Sequence, residues 1–193
     1  DFDIPDYIKQ AAIDAINQNY HKYSPVDGFL DLKKAICKKF KRDNNLDYDT
    51  NQIVVSTGAK QSIANVCMSL INKGDEVVIP TPYWVSYSAM VSLADGIPVF
   101  VHPSEDGNYK VTAEQLESAI TEKTKMIMLN SPNNPSGSVF SEEEYLEFSK
   151  VLLKYPNIIV VSDEIYEHIN YGSKSVSFAS LPGMYERTVT VNG

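Results

Sequence analysis

Residues 157–166, reading Asn157-Ile158-Ile159-Val160-Val161-Ser162-Asp163-Glu164-Ile165-Tyr166, constrain the fold more than any other stretch of the chain. Consecutive apolar, mostly β-branched residues bounded by polar ones predict a strand buried on both faces, the pattern of a parallel sheet covered by helices. The carboxyl end of such a strand is where open α/β sheets bind ligands. Asp163 stands at that end, with Tyr166 following in the same segment. A carboxylate placed there can hold a cationic heteroaromatic ring, and a nearby phenol can donate to an oxygen on it. At about 3 Å and an effective dielectric near 20 the attraction is roughly 5 kcal/mol, enough to keep a pyridine nitrogen protonated. The same aspartate could equally cap a following helix or turn.

The rest of the chain supplies the helices and strands that this reading needs. Ile8, Ala12, Ile13 and Ile16 recur at helical spacing, and Leu32, Ile36 and Phe40 do so again after a turn through Ser24-Pro25-Val26-Asp27-Gly28. Strands are expected over 53–56, 76–80, 97–102, 125–130 and 188–192, with helices through Ile63, Cys67 and Leu70 and over 83–94. Thr112-Ala113-Glu114-Gln115 and Ser141-Glu142-Glu143-Glu144 are capping boxes that open two more helices, the second ending before Pro156. Strands alternating with helices predict an α/β fold, a doubly wound and mainly parallel sheet. The organisation expected is residues 1–50 leading in as helices and 51–193 forming the α/β core, without repeats or linkers.

Composition excludes several partners. The 193 residues carry 17 basic and 25 acidic side chains, net −8 with pI ≈ 4.9, so no polyanion-binding surface and no nucleic acid partner is expected. No apolar run is long enough for a membrane span, and the opening Asp1-Phe2-Asp3-Ile4-Pro5 lacks the basic and apolar regions of a signal peptide, so a cytoplasmic protein is expected. Cys37 and Cys67 lie in helical patterns without C-x-x-C spacing and are expected to be buried free thiols. Residues 43–54 superficially resemble a calcium loop, but Tyr48 and Val54 occupy the positions that need glycine and glutamate. His21, His102 and His168 share no ligand spacing, so no metal site is expected.

Further segments can join Asp163. Thr57-Gly58-Ala59-Lys60 lies between a predicted strand and a helix, where backbone N–H groups and the helix dipole can hold a small phosphate, or simply make a tight turn. Neither G-x-G-x-x-G nor G-x-x-x-x-G-K is present, which argues against dinucleotides and nucleoside triphosphates. Trp84, the single tryptophan, follows a strand end in Pro80-Thr81-Pro82-Tyr83-Trp84, where it can stack on a flat ring or pack in the core. Ser131-Pro132-Asn133-Asn134-Pro135-Ser136-Gly137 is a rigid loop, and Asn134 can donate to a ring oxygen and to a substrate carboxylate. Tyr23, in Lys22-Tyr23-Ser24-Pro25, offers a phenol before a turn. Lys60 places a positive charge near a helix N-terminus, which calls for a compensating anion.

These segments, together with Gly28, Ser56-Thr57-Gly58-Ala59-Lys60-Gln61, Pro82-Tyr83-Trp84-Val85-Ser86-Tyr87 and Ser162-Asp163-Glu164-Ile165-Tyr166-Glu167-His168, resemble the class I and II aminotransferases, the aspartate aminotransferase branch of the fold-type I pyridoxal-phosphate enzymes. The resemblance implies pyridoxal 5′-phosphate as cofactor. Asp163 would pair with its pyridine nitrogen, Tyr166 and Asn134 would bond its phenolic oxygen, Trp84 would stack on it and the Gly58-Ala59-Lys60 turn would hold its phosphate. Lys60, Trp84 and Asn134 would also touch the substrate, Lys60 reading the distal carboxylate of aspartate, glutamate or a related dicarboxylic acid such as prephenate. Tyr23 would reach the phosphate of the neighbouring subunit, so a homodimer is implied. Ser136 stands where threonine is commoner in the family and keeps the hydroxyl.

The resemblance covers the whole chain, but the chain covers only about the first half of the family pattern, a partial large cofactor-binding domain without the small domain. No residue matches the Schiff-base lysine, which would lie beyond Gly193, so these residues alone are expected to be inactive. The activity implied for the complete protein is transfer of an amino group from an amino acid to a 2-oxo acid. Two other readings stay open on the sequence: a β-lyase or decarboxylase on the same scaffold, and a non-catalytic binding or regulatory module.

Overall fold

The computed structural model describes residues 2–105, 108–172 and 175–193. Its strands, β1 (Glu76–Pro80), β2 (Ile97–Val101), β3 (Thr124–Asn130), β4 (Ile159–Asp163) and β5 (Thr188–Val191), form one sheet in the order β2-β1-β3-β4-β5, with every pairing parallel. Helices α1 (Asp6–Asn17) and α2 (Leu30–Asn44) precede the sheet. Helices α3 (Ala59–Leu70), α4 (Ser86–Leu93), α5 (Ala113–Ser118) and α6 (Glu142–Leu153) lie within it in sequence. The doubly wound α/β fold expected from the sequence is the fold observed.

Period-2 alternation along the buried strands builds two cores, one on each face of the sheet. Val77, Ile79, Met126, Met128, Val161 and Val191 pack against Ile63 and Cys67 of α3 and Tyr87, Met90 and Val91 of α4. Val78, Ile127, Leu129 and Val160 point the other way, against Leu116 of α5 and Tyr145, Phe148 and Leu152 of α6. Both capping boxes form as expected: the side chains of Thr112 and Ser141 accept from Gln115 N–H and Glu144 N–H, each at 3.2 Å. Arg187 donates to the carbonyls of Leu152, Tyr155 and Ile158, tying the end of α6 and the turn after it to the start of β5.

The order of the sheet sets the site. The chain leaves β1 toward β2 on one side, whereas β3, β4 and β5 follow on the other, so the strand order reverses between β1 and β3. Register places Asn130 beside Asp163 and Asp163 beside Val191, aligning these strand ends on one edge. A reversal point at the carboxyl edge is where a doubly wound sheet opens a crevice.

Three expectations need correction. Residues 53–56 belong to no ladder: Ile53 is extended, with φ −108 and ψ 128, Val54 is 66% exposed, and the Val55 N–H donates to the Asp27 carbonyl at 3.1 Å. Extended dihedrals are local, but strand membership needs a neighbour, and no described strand pairs with this segment. The helix expected over 83–94 begins only at Ser86. Cys37 is only half-buried, whereas Cys67 is fully buried; both thiols are free. No helix of the described residues is long and apolar enough to cross a membrane.

Candidate functional site

Alternation along β4 decides where its terminal residues point. Asp163 falls on the face of Val161, toward α4, and is buried at 4% exposure. Its Oδ2 accepts from the Tyr87 hydroxyl at 2.5 Å and its Oδ1 from the Ile165 N–H at 3.3 Å. Burial pushes its carboxyl above the ordinary carboxylate value, outweighing the lowering by those two hydrogen bonds. A carboxylate penalised in this way gains most from a cationic partner.

Two chains of contact run outward from Asp163. Through Tyr87 the first reaches Trp84, whose ring meets that of Tyr87 edge-on at 5.5 Å, and then Lys60, whose Nζ lies 5.0 Å from the Trp84 centroid. The second passes through Asn130, whose Nδ2 donates to the Asp163 carbonyl at 2.9 Å and whose Oδ1 accepts from the Asn134 N–H at 2.7 Å. Asn134 Nδ2 in turn donates to the Tyr166 hydroxyl at 3.4 Å. Asn133 ties the loops after β1 and β3 together by donating to the Pro82 carbonyl at 3.2 Å. Asp163, Asn134, Tyr166, Trp84 and Lys60, widely spaced in sequence, are thereby brought to one edge.

Gly58 precedes α3 with φ +86, a conformation that favours glycine, and a Cβ built there would meet nothing within 4 Å. Open space therefore faces the first turn of a 12-residue helix, whose leading N–H groups have no intrahelical partner. A groove of ≈ 930 Å³ passes this turn at Ser56, Gly58 and Ala59 but runs between residues 53–55 and β5, and none of Asp163, Trp84, Asn134 and Tyr166 lines it. A buried carboxylate, a paired amide and phenol, a half-buried indole and an open helix N-terminus are the donor set that a protonated pyridine ring bearing a phenolic oxygen and a phosphate requires. Pyridoxal phosphate fits these residues.

Tyr23 is not brought to this edge. It lies between α1 and α2, is fully exposed, and no hydrogen bond or ring contact joins it to the other candidates among the described residues. Three residues were not singled out from the sequence as site groups: Tyr87, Asn130 and Asn133. Tyr87 had a signal, because with Met90 and Val91 it makes a buried i, i+3, i+4 stripe, and a buried phenol requires an acceptor. Nothing local marks Asn130, whose bridging role exists only because β3 lies beside β4.

Glu164, pointing to the opposite face, is 2% exposed. Its Oε1 accepts from Ser162 Oγ at 2.7 Å, Ser177 Oγ at 2.9 Å and Phe178 N–H at 3.1 Å. Burial pushes its carboxyl up to about 7 against those hydrogen bonds. It binds the loop after β4 to the sheet rather than facing the crevice.

The family model for aminotransferase class I and II matches residues 1–193. A probable aspartate/prephenate aminotransferase of Rickettsia felis is 51% identical over all of this chain and 48% of its own length. The crystal structure of the aspartate aminotransferase from Rhizobium meliloti superposes with a TM-score of 0.98 at 47% identity, over 100% of this chain and 49% of that one. The aspartate aminotransferase of Thermus thermophilus with maleate superposes at 0.96 and 37% identity, over 100% and 50%. The chain spans about half the length of the curated relatives it matches. A match over its full length, on a site whose parts meet at Asp163, places the chain in the class I and II aminotransferase family.

Proposed function

We propose that the chain is part of the large cofactor-binding domain of a pyridoxal-phosphate-dependent aminotransferase that moves an amino group from aspartate or glutamate to a 2-oxo acid. The observation that carries this reading is the meeting, at one buried residue, of two paths: Lys60–Trp84–Tyr87 ends on the Asp163 carboxylate and Tyr166–Asn134–Asn130 on the Asp163 carbonyl.

Pyridoxal phosphate, when bound, supplies an electron sink for bond breaking at the amino-acid α-carbon. The residues of this chain position and tune it. The Asp163 carboxylate holds a proton on the pyridine nitrogen, while Tyr87 O–H and Ile165 N–H fix the orientation of that carboxylate. Trp84 covers a face of the ring and excludes water from it. Asn134 and Tyr166 donate toward the phenolic oxygen, and the backbone of the Gly58-Ala59-Lys60 turn holds the phosphate. The Schiff-base lysine is outside residues 1–193 in this reading. The exposure of Tyr23 supports its serving the site of a second subunit in a homodimer.

In the full-length protein, Asp163→Ala should lower kcat/KM for aspartate on the order of a thousandfold, and Asp163→Glu far less, because only the alanine removes the charge facing the ring nitrogen. Coupled assay of 2-oxo acid formation checks this. Near-normal turnover of the alanine variant refutes the assignment.

Three observations support an acidic substrate: the position of the Lys60 ammonium beside Trp84, the aspartate/prephenate names of the relatives, and the maleate, a dicarboxylate, that accompanies the Thermus thermophilus enzyme. Lys60→Ala should reduce kcat/KM for aspartate by about 1.5 to 3 kcal/mol, the range of a charge-assisted hydrogen bond, and spare phenylalanine. An equal loss for both amino acids would put Lys60 on the phosphate instead.

A further inference from the structure

Outside the crevice, a second polar cluster joins three separate elements. Lys39 of α2 donates from Nζ to Glu167 Oε1, to Asn44 Oδ1 at 2.9 Å and to Asn192 Oδ1 at 3.3 Å. Asn44, the last residue of α2, donates from Nδ2 to Glu167 Oε2 at 2.8 Å. His168 Nε2 lies 3.2 Å from Glu167 Oε1. The Glu167 side chain is only 6% exposed and that of Lys39 22%.

Energy alone does not account for such a cluster. A desolvated ion pair contributes little net stability over apolar side chains of similar volume. What it adds is direction, since separate donors on the two carboxylate oxygens fix the plane of the group and not merely its depth. The fixed group adjoins Tyr166, whose hydroxyl has, among the described residues, a single hydrogen bond, at 3.4 Å from Asn134, too long to set its position alone. The backbone turn over residues 165–168 therefore helps to hold that phenol, and Glu167 is the side chain by which α2 grips this turn, through Lys39 and Asn44. Asn192, held by the same ammonium, follows Val191, whose carbonyl accepts from the Glu164 N–H at 2.8 Å.

We propose that the Lys39–Asn44–Glu167–Asn192 junction is a positioning device that sets the Tyr166 hydroxyl, and the exit of the chain from β5, relative to Asp163. Glu167 touches no substrate or cofactor in this assignment and acts through Tyr166. The assignment rests on the reading of Tyr166 as a group facing the pyridoxal ring.

The test is a double-mutant cycle in the full-length protein loaded with pyridoxal phosphate. The readouts are kcat and KM for the amino donor and the pH midpoint of the absorbance of the bound cofactor. Tyr166→Phe should move the midpoint. Glu167→Gln should move it in the same direction, lower kcat about tenfold with KM nearly unchanged, and add almost nothing in the Tyr166→Phe background. Lys39→Met should reproduce the effect and Lys39→Arg should relieve most of it, which covers the case of a Glu167 variant that does not fold. Full additivity of Glu167→Gln with Tyr166→Phe, or a folded Glu167→Gln with wild-type midpoint and kcat, overturns the positioning role while leaving the site reading intact. A Tyr166→Phe variant with an unmoved midpoint removes the site reading, and the junction's role with it.

Discussion

Asp163 and Glu164 are neighbours in sequence, yet they meet different physics because a strand turns successive side chains to opposite faces. Asp163 meets Tyr87 and the crevice, while Glu164 meets Ser177 and the Phe178 N–H under α6. Burial has raised the Glu164 carboxyl from 4.5 to about 7, so between those values the folded chain holds a proton that the unfolded chain has released. The stability associated with that proton is complete below pH 4.5 and is lost as pH rises through 7, a total of about 3 kcal/mol. Urea denaturation at about pH 5 and about pH 8, on either side of most of that window, should therefore show a markedly smaller pH-dependent loss for Glu164→Gln than for wild type. The same slope in both would remove Glu164 as its source. The segment Ser162-Asp163-Glu164 was legible in sequence only in part. The burial of the run marked Asp163 as a strand-end carboxylate, but the acceptor role of Glu164 depends on a loop that returns beside it after residue 175.

At the level of elements, the capping boxes, the helical periodicities and the buried parallel strands were legible because each is encoded within a few adjacent residues. The segment 53–56 was misread for the converse reason. Its residues, Ile53-Val54-Val55-Ser56, have strand character, but a ladder is made by two segments, and β5, one edge of the sheet, pairs only with β4 among the described strands. The groove between this segment and β5 is lined by Val54, Val55, Val189 and Val191. Amide hydrogen exchange should report the difference. In the 193-residue chain the Val54 and Ser56 amides should exchange orders of magnitude faster than those of Val160 and Val161 in β4, since unpaired backbone opens at almost no cost. Equal protection at both places would mean that residues 53–56 are laddered after all.

At the level of the whole molecule, the two cores are closed over the sheet, but the lead-in is not. Helix α1 buries none of its residues, and Phe2, Tyr7, Ile16, Tyr20, Tyr23 and Val26 are all exposed. Apolar surface of this extent on a small chain normally marks a covered interface. The isolated 193-residue chain should therefore self-associate with rising concentration in sedimentation experiments, and replacing Ile8, Ile13 and Ile16 together by serine should suppress this while leaving helical content largely intact. A monomer at high concentration would contradict the expectation. The amino-acid sequence by itself determined the fold class, the order of elements, the helix caps and the strand-end position of Asp163, because these follow from periodicity, end signals and motif order along a contiguous chain. Only the tertiary structure decided that Tyr87 orients Asp163, that Asn130 links it to Asn134, and that residues 53–56 stand outside the sheet. Those are contacts between residues far apart in sequence, and the reversal of strand order between β1 and β3 that brings them together is a property of packing, not of any local stretch.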